Sequence, residues 1–132
     1  AGKPDEFPRA ADAFQAAIDR DPADQDPKLV FGQFCRAWAS ALVRAGGDPT
    51  AAIDRGLALA KAMIQRRPDW PDARVLQASL TLVKAQHTGD AAERRKLAAS
   101  AEQDFAGAIK TNPVLAKLWR VQRDLAQQSA TR

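Results

Sequence analysis

An all-α fold, a right-handed stack of antiparallel helical hairpins with about six helices, is predicted by three observations. Alanine is the dominant residue at 29 of 132 positions, tyrosine is absent, and β-branched residues never run together, so intrinsic propensity favours helix over strand. A phrase recurs three times, as AFQAAIDRDP ending at Pro22, LAKAMIQRRP ending at Pro68 and FAGAIKTNP ending at Pro113, at intervals of 46 and 45 residues. In each copy an isoleucine precedes the proline by four (Ile18, Ile64, Ile109), and Phe14, Ala60 or Phe105 precedes it by eight. Both positions lie on one helix face just ahead of a stop, and a repeated helix end implies a repeated unit of the size of a stacked hairpin.

Pro, Gly and Asp punctuation separates the helices. The first, over residues 5–20, places Phe7, Ala11, Phe14 and Ile18 on one stripe. DPADQDP breaks it, with Asp26 as N-cap and Pro27 at the first helical position, where its missing N–H costs nothing. The second, over 28–44, carries Phe31, Phe34, Cys35, Trp38 and Leu42 and stops at Gly46-Gly47. Asp48-Pro49 restarts the chain, and the third helix buries Ile53, Leu57, Ala60 and Ile64 before Arg67, antiparallel to its predecessor because the turn is short. The fourth, over 71–87, has two apolar stripes: Leu76, Leu80 and Val83 on one, Val75, Ala78 and Leu82 on the other. A helix apolar on two sides is covered on two sides, as expected in the middle of a stack.

Asp90 and Glu93 form a capping box for the fifth helix, over 91–111, whose face is Leu97, Ala101, Phe105 and Ile109. Asn112-Pro113 opens the sixth, over 114–128, in which Leu118, Val121 and Leu125 are expected to pack, with Trp119 adjacent. The chain is therefore read as one domain, 1–132, with a partial unit at 5–26, units at 27–70 and 71–113, and a final helix at 114–130. The first unit lacks its leading helix.

A chain of 132 residues buries roughly two-thirds of its unfolded surface and folds without staples. The single Cys35 cannot form an intrachain disulfide, no zinc pattern can be drawn, and a reducing, cytoplasmic setting is the expectation. No apolar run approaches the roughly 18–20 residues that span a bilayer, so no membrane insertion is expected. The N-terminal AGKPDEF has neither a signal pattern nor an initiating methionine and reads as the start of an excised piece. The net charge of +4 arises in residues 67–132, where eleven Lys/Arg face seven Asp/Glu. This mild bias, with tryptophans at core spacing or beside a proline turn, lacks the basic stripe and stacking aromatics of a nucleic-acid reader.

Catalysis is hard to assemble from these residues, and neither an enzyme nor a cofactor or metal is expected. Cys35 sits on an apolar stripe, whereas a reactive thiolate needs exposure and a cationic neighbour. His87 precedes a glycine turn, where a cation complements the helix dipole. Asp19 with Asp21, and Asp69 with Asp72, cluster at helix ends, where capping is their ordinary use. Gly46-Gly47 follows no strand and precedes no Gly-Lys-Ser/Thr, which leaves chain reversal as its task. Arg94-Arg95-Lys96 reads as a solvated face.

The recurring phrase resembles the second helix of the tetratricopeptide repeat: a small residue, an aromatic four later, Ala three later, Pro five later. Ala10, Phe14, Ala17 and Pro22 match every position, as do Ala101, Phe105, Ala108 and Pro113, while Gly56, Ala60, Met63 and Pro68 keep the small residue and the proline. Trp119, six residues after Pro113, falls where that family places its first-helix aromatic. The family period is 34 and its first-helix Leu-Gly and Tyr positions are not visible here. The longer unit, with GGDP or TGD before its second helix, also looks like the degenerate repeats C-terminal to the catalytic domain of bacterial serine/threonine kinases. That likeness covers about 28–113 and implies a non-catalytic, regulatory segment of a larger protein.

In stacked hairpins the first helix of each pair lines a concave groove that binds peptides through several weak pockets. Here those helices offer Arg36, Arg74, Gln77, Lys84, Lys117, Arg120 and Arg123. The expected function is a protein-interaction or regulatory scaffold holding a protein or peptide segment, with acidic or C-terminal carboxylate ligands favoured by charge-assisted hydrogen bonds. The alternative is a structural spacer or weak homo-oligomer stacking through apolar end faces, with Phe7 or Phe14 left uncovered.

Overall fold

A computed structural model describes residues 6–131. The predicted helix start at residue 5 and the reading of the N-terminal AGKPD lie outside them. The described residues form seven helices and no strand: α1 (Glu6–Arg20), α2 (Asp26–Arg44), α3 (Thr50–Arg66), α4 (Pro71–His87), α5 (Ala91–Thr111), α6 (Leu115–Leu118) and α7 (Arg120–Thr131). They pack in chain order as an all-α stack of helical hairpins, α2 against α3 and α4 against α5, with α4 also touching α2, α3 and α7.

The repeated phrase marks three equivalent helix ends. Pro22, Pro68 and Pro113 each stand two residues beyond the last residue of α1, α3 and α5, where a missing N–H and a fixed φ stop the helix. Helices α2, α3, α5 and α6 start on a shared device: Asp24, Asp48, Asp90 and Asn112 each accept the backbone N–H two residues on, at 3.0–3.3 Å. Asp24 rather than Asp26 therefore supplies the side-chain acceptor for α2, whose first residue is Asp26 itself. Gly46 alone among the described residues has positive φ (76°). Its N–H donates to the Val43 carbonyl and that of Gly47 to Leu42, the paired C-terminal bonds that need a left-handed residue at this position.

α4 is the centre of the stack. Val75, Ala78 and Leu82 join Ala101, Phe105 and Ala108 of α5, whereas Leu76 and Leu80 join Ala60 and Met63 of α3. Its low amphipathicity is thus the consequence of cover on both sides. Small residues let the helices approach. A Cβ on Gly56 would lie 2.6 Å from Leu80 Cδ1 and 3.0 Å from Cys35 Cβ, and one on Gly32 would collide with Leu76.

The C-terminal helix departs from the repeat. The expected single rod is broken at Trp119, and Leu118, Val121 and Leu125, expected to pack, are 69, 66 and 39% exposed. Leu115 and Ala126 are buried in their place, with Trp119 packed beside them. The reason lies at the sixth position after each proline. In the first two units that residue is a cation whose side chain folds back on the proline carbonyl, Lys28 on Pro22 and Arg74 on Pro68, at 3.0–3.1 Å. In the third it is Trp119, whose ring lies 6.1 Å from that of Phe105. Turning position 119 inward carries 115 and 126 with it and rotates 118, 121 and 125 toward solvent.

Candidate functional site

Three leading helices meet along one side of the stack. Gln33 and Arg36 of α2, Asp72, Val75 and Leu76 of α4, and Trp119 between α6 and α7 line a cleft of about 200 Å³. Arg36 Cζ stands 5.4 Å from the Trp119 ring centroid, a cation–π contact that links α2 to the C-terminal helix across α4. Arg36 and Asp72 bring opposite charges to a cleft floored by Val75 and Leu76.

Of the seven expected groove residues, Arg36 lines this cleft. The Nε and Nη2 of Arg74 donate to the Pro68 carbonyl, and its charge acts on Asp104 of α5. Gln77 lies in a different cleft, of about 440 Å³, with Leu57 and Lys61 of α3 and Ser100 and Asp104 of α5. Lys84 lines a third, beside Asp54, His87 and Thr88. Lys117 and Arg120 are exposed, and Arg123 half-buried, on the C-terminal helix. Arg74, Gln77 and Lys84 recur at three and seven residues on one face of α4, which is turned toward α3 and α5, whereas Asp72, Val75 and Leu76 face the Arg36–Trp119 cleft. Trp119, Gln33 and Asp72 were missed as cleft residues, and the position of Trp119 after Pro113 was the available signal.

The chemistry-bearing side chains are placed as follows. Cys35 is buried, and desolvation pushes its thiol up to about 12 against a small opposing effect of the Arg55 charge. It stays protonated at neutral pH, unlike a nucleophilic thiolate. Burial also raises the Asp104 carboxyl, with Arg74 opposing. The Asp48 carboxyl is lowered by the hydroxyl and N–H of Thr50, which donate to it at 2.6 and 3.0 Å. Among the described residues, no three His, Cys, Asp or Glu side chains are grouped to hold a metal ion. No helix of the described residues is long and apolar enough to cross a membrane.

A fourth cleft, of about 430 Å³, opens between α1 and α2, lined by Ala10, Phe34, Ala37, Trp38 and Ala41 with Glu6 and Arg44 also in its lining. Phe7 and Phe14, expected to lie uncovered, are half-buried. Phe7 stacks on Phe34 and Trp38 at 5.6 and 5.5 Å, and Phe14 on Phe31 at 5.1 Å. The open apolar surface at this end therefore belongs as much to α2 as to α1.

Fold and clefts define a helical-hairpin stack with grooves on two flanks. Comparison with family models, curated proteins and solved structures gives no match to this chain.

Proposed function

We propose that the chain is a tetratricopeptide-like interaction domain without chemistry of its own, a regulatory or scaffold segment of a larger cytoplasmic protein. The likeness to the repeats that follow bacterial serine/threonine kinase domains supports that setting. Its ligand is a peptide or protein segment lying against the leading helices α2, α4 and α6–α7. The Arg36–Trp119 cleft carries this reading: a guanidinium held over an indole face beside Val75 and Leu76 offers a carboxylate a charge-assisted donor next to an apolar floor.

A panel of acidic and free-carboxylate peptides, screened by fluorescence anisotropy, tests the proposal. A hydrogen bond to a charged group contributes about 1.5–3 kcal/mol, so Arg36→Glu should weaken a groove binder at least about tenfold. Equal binding by both proteins, or no binder in the panel, would remove the groove from the account.

A further inference from the structure

We infer that the cleft between α3 and α5, floored by Gln77 and Thr81 of α4, binds a small zwitterion of the dipeptide class, its ammonium at Asp104 and its carboxylate at Lys61. This site is separate from the Arg36–Trp119 groove and does not depend on it.

The repeat supplies its own control. Adding 46 to the numbers of Ala11, Asp12 and Gln15 of α1 gives Leu57, Ala58 and Lys61 of α3, and adding 45 to that of Arg55 gives Ser100 of α5. The first set lines a cleft of about 350 Å³ between α1 and α3, and the second lines the cleft of about 440 Å³ between α3 and α5. The two clefts are thus the same place in successive units, but their floors differ. In the first unit the floor positions are Phe31 and Cys35, both 0% exposed, and neither lines the cleft. Arg55 closes over this floor: its Nη2 donates to Gln15 Oε1, and its Cζ stands 5.3 Å from the Phe31 ring centroid. In the second unit the same positions are Gln77 and Thr81, and both line the cleft. Ser100 is too short to reach across as Arg55 does, and Asp104 stands where the first unit has Leu59.

The polar groups of the second cleft have no partner within the protein. Four of the five threonines, Thr50, Thr88, Thr111 and Thr131, direct the hydroxyl to a neighbouring acceptor, the last three to the carbonyl four residues back. Thr81 is the most buried of the five, at 8% exposure, and its hydroxyl alone lacks a partner. Among the described residues Lys61, Gln77, Ser100 and Asp104 lack a hydrogen bond as well. Arg74, whose charge acts on Asp104, keeps its Nε and Nη2 on the Pro68 carbonyl. A buried hydroxyl and a half-buried carboxylate without donors oppose folding. The first unit shows that this backbone accepts an apolar, closed floor, so packing does not require polar groups here. Local departures of this kind mark functional positions.

Charge and chemistry select the ligand. Lys61 on the α3 wall and Asp104 on the α5 wall are opposite in sign. A simple cation would meet Lys61 and the nearby Arg74, and a simple anion would meet Asp104. A molecule carrying both charges in the complementary order suits both walls. Between them Gln77, Thr81 and Ser100 each donate and accept, as a peptide group requires. Leu57 and Leu97 offer apolar surface for a side chain. The volume falls in the range of about 300–1,000 Å³ of small-molecule pockets.

Isothermal titration of the protein with Ala-Leu and Leu-Ala, and with their N-acetyl and C-amide derivatives, tests the inference. At least one free dipeptide should bind saturably at a single site. Acetylation and amidation should each weaken binding about tenfold or more, the loss expected of a charge-assisted hydrogen bond. Asp104→Asn should weaken the free dipeptide by a similar factor and remove the penalty for acetylation, and Lys61→Gln should do the same for amidation. Thr81→Val should bind less tightly yet melt higher without ligand, because it removes the unpartnered hydroxyl; unchanged far-ultraviolet spectra check folding. The inference is overturned if neither dipeptide binds saturably, if capped and free forms bind equally, or if the Asp104 and Lys61 variants bind as the unaltered protein does. Binding lost in Arg36→Glu and retained in Asp104→Asn would also overturn it, since the ligand would then lie in the other groove.

Discussion

Alanine substitution at Gly56 and at Gly107 should shift stability in opposite directions, although both glycines lie inside helices. Replacing a helical glycine by alanine stabilises by about 1 kcal/mol where nothing intervenes. Gly107 meets that condition, because a Cβ there has no neighbour within 4 Å. At Gly56 the new methyl would lie 2.6 and 3.1 Å from the two Leu80 Cδ atoms and 3.0 Å from Cys35 Cβ. Leu80 and Cys35 are both 0% exposed, so neither can swing into solvent, and relief requires α3 to back away from α2 and α4. Overpacking of this kind costs about 1–3 kcal/mol, which cancels or outweighs the propensity gain and leaves Gly56→Ala about 0–2 kcal/mol less stable. With an unfolding entropy of about 2.1 cal/mol/K per residue, each kcal/mol moves the Tm of this chain by about 4 °C. Gly107→Ala should then melt about 4 °C higher and Gly56→Ala lower by up to about 7 °C, by circular dichroism at a fixed scan rate. A double variant adding Leu80→Val should recover part of the loss, giving a favourable coupling in the mutant cycle. Equal stabilisation by both alanines would refute the close approach of α3 to its neighbours.

Phe105→Ala should cost about 3–5 kcal/mol in urea unfolding, because the ring is fully buried between α4 and α7 and its loss leaves a cavity. Asp90→Ala should cost about 1 kcal/mol through loss of the bond from the Ala92 N–H, with an unchanged folded-state spectrum. Cys35 should react with iodoacetamide far more slowly in the native protein than in urea at pH 8. Its folded pKa is raised to about 12 from 9.0, so between these values the unfolded chain loses the proton and the folded one keeps it. Stability attributable to the thiol is thus intact below pH 9 and declines as pH rises toward 12; a Cys35→Ala variant, compared across that window by urea titration, should lack this decline. Asp104 is an acid raised by burial, so its charge opposes folding above its folded pKa and the penalty lifts as pH falls through that value. Asp104→Asn should raise Tm at pH 7, and the gain should shrink toward pH 3, where the wild-type carboxyl is also neutral.

The helices were legible because their signals are local. Proline two residues past each trailing helix, an Asp or Asn ahead of each new one, and Gly46 in a left-handed turn act through the backbone of their own segment. The double stripe of α4 was readable too, since cover on both flanks leaves apolar residues on both. The set of groove cations was not. Arg74, Gln77 and Lys84 share one face of α4 and Val75 and Leu76 another, but which neighbouring helices each face meets is decided by packing between helices. The C-terminal helix was ambiguous for a sharper reason: two apolar stripes lie side by side on it, and periodicity alone does not say which one packs.

Composition and spacing by themselves determined that the chain is helical, where its rods end, and that they repeat, because propensity, caps and proline stops are properties of short stretches. Tertiary structure alone decided which faces close and which stay open. Trp119, packing on Phe105 beneath Arg36, turns the last helix so that Leu118, Val121 and Leu125 meet water. A helix can bury only the side its neighbours cover, and that choice depends on residues far apart in the chain.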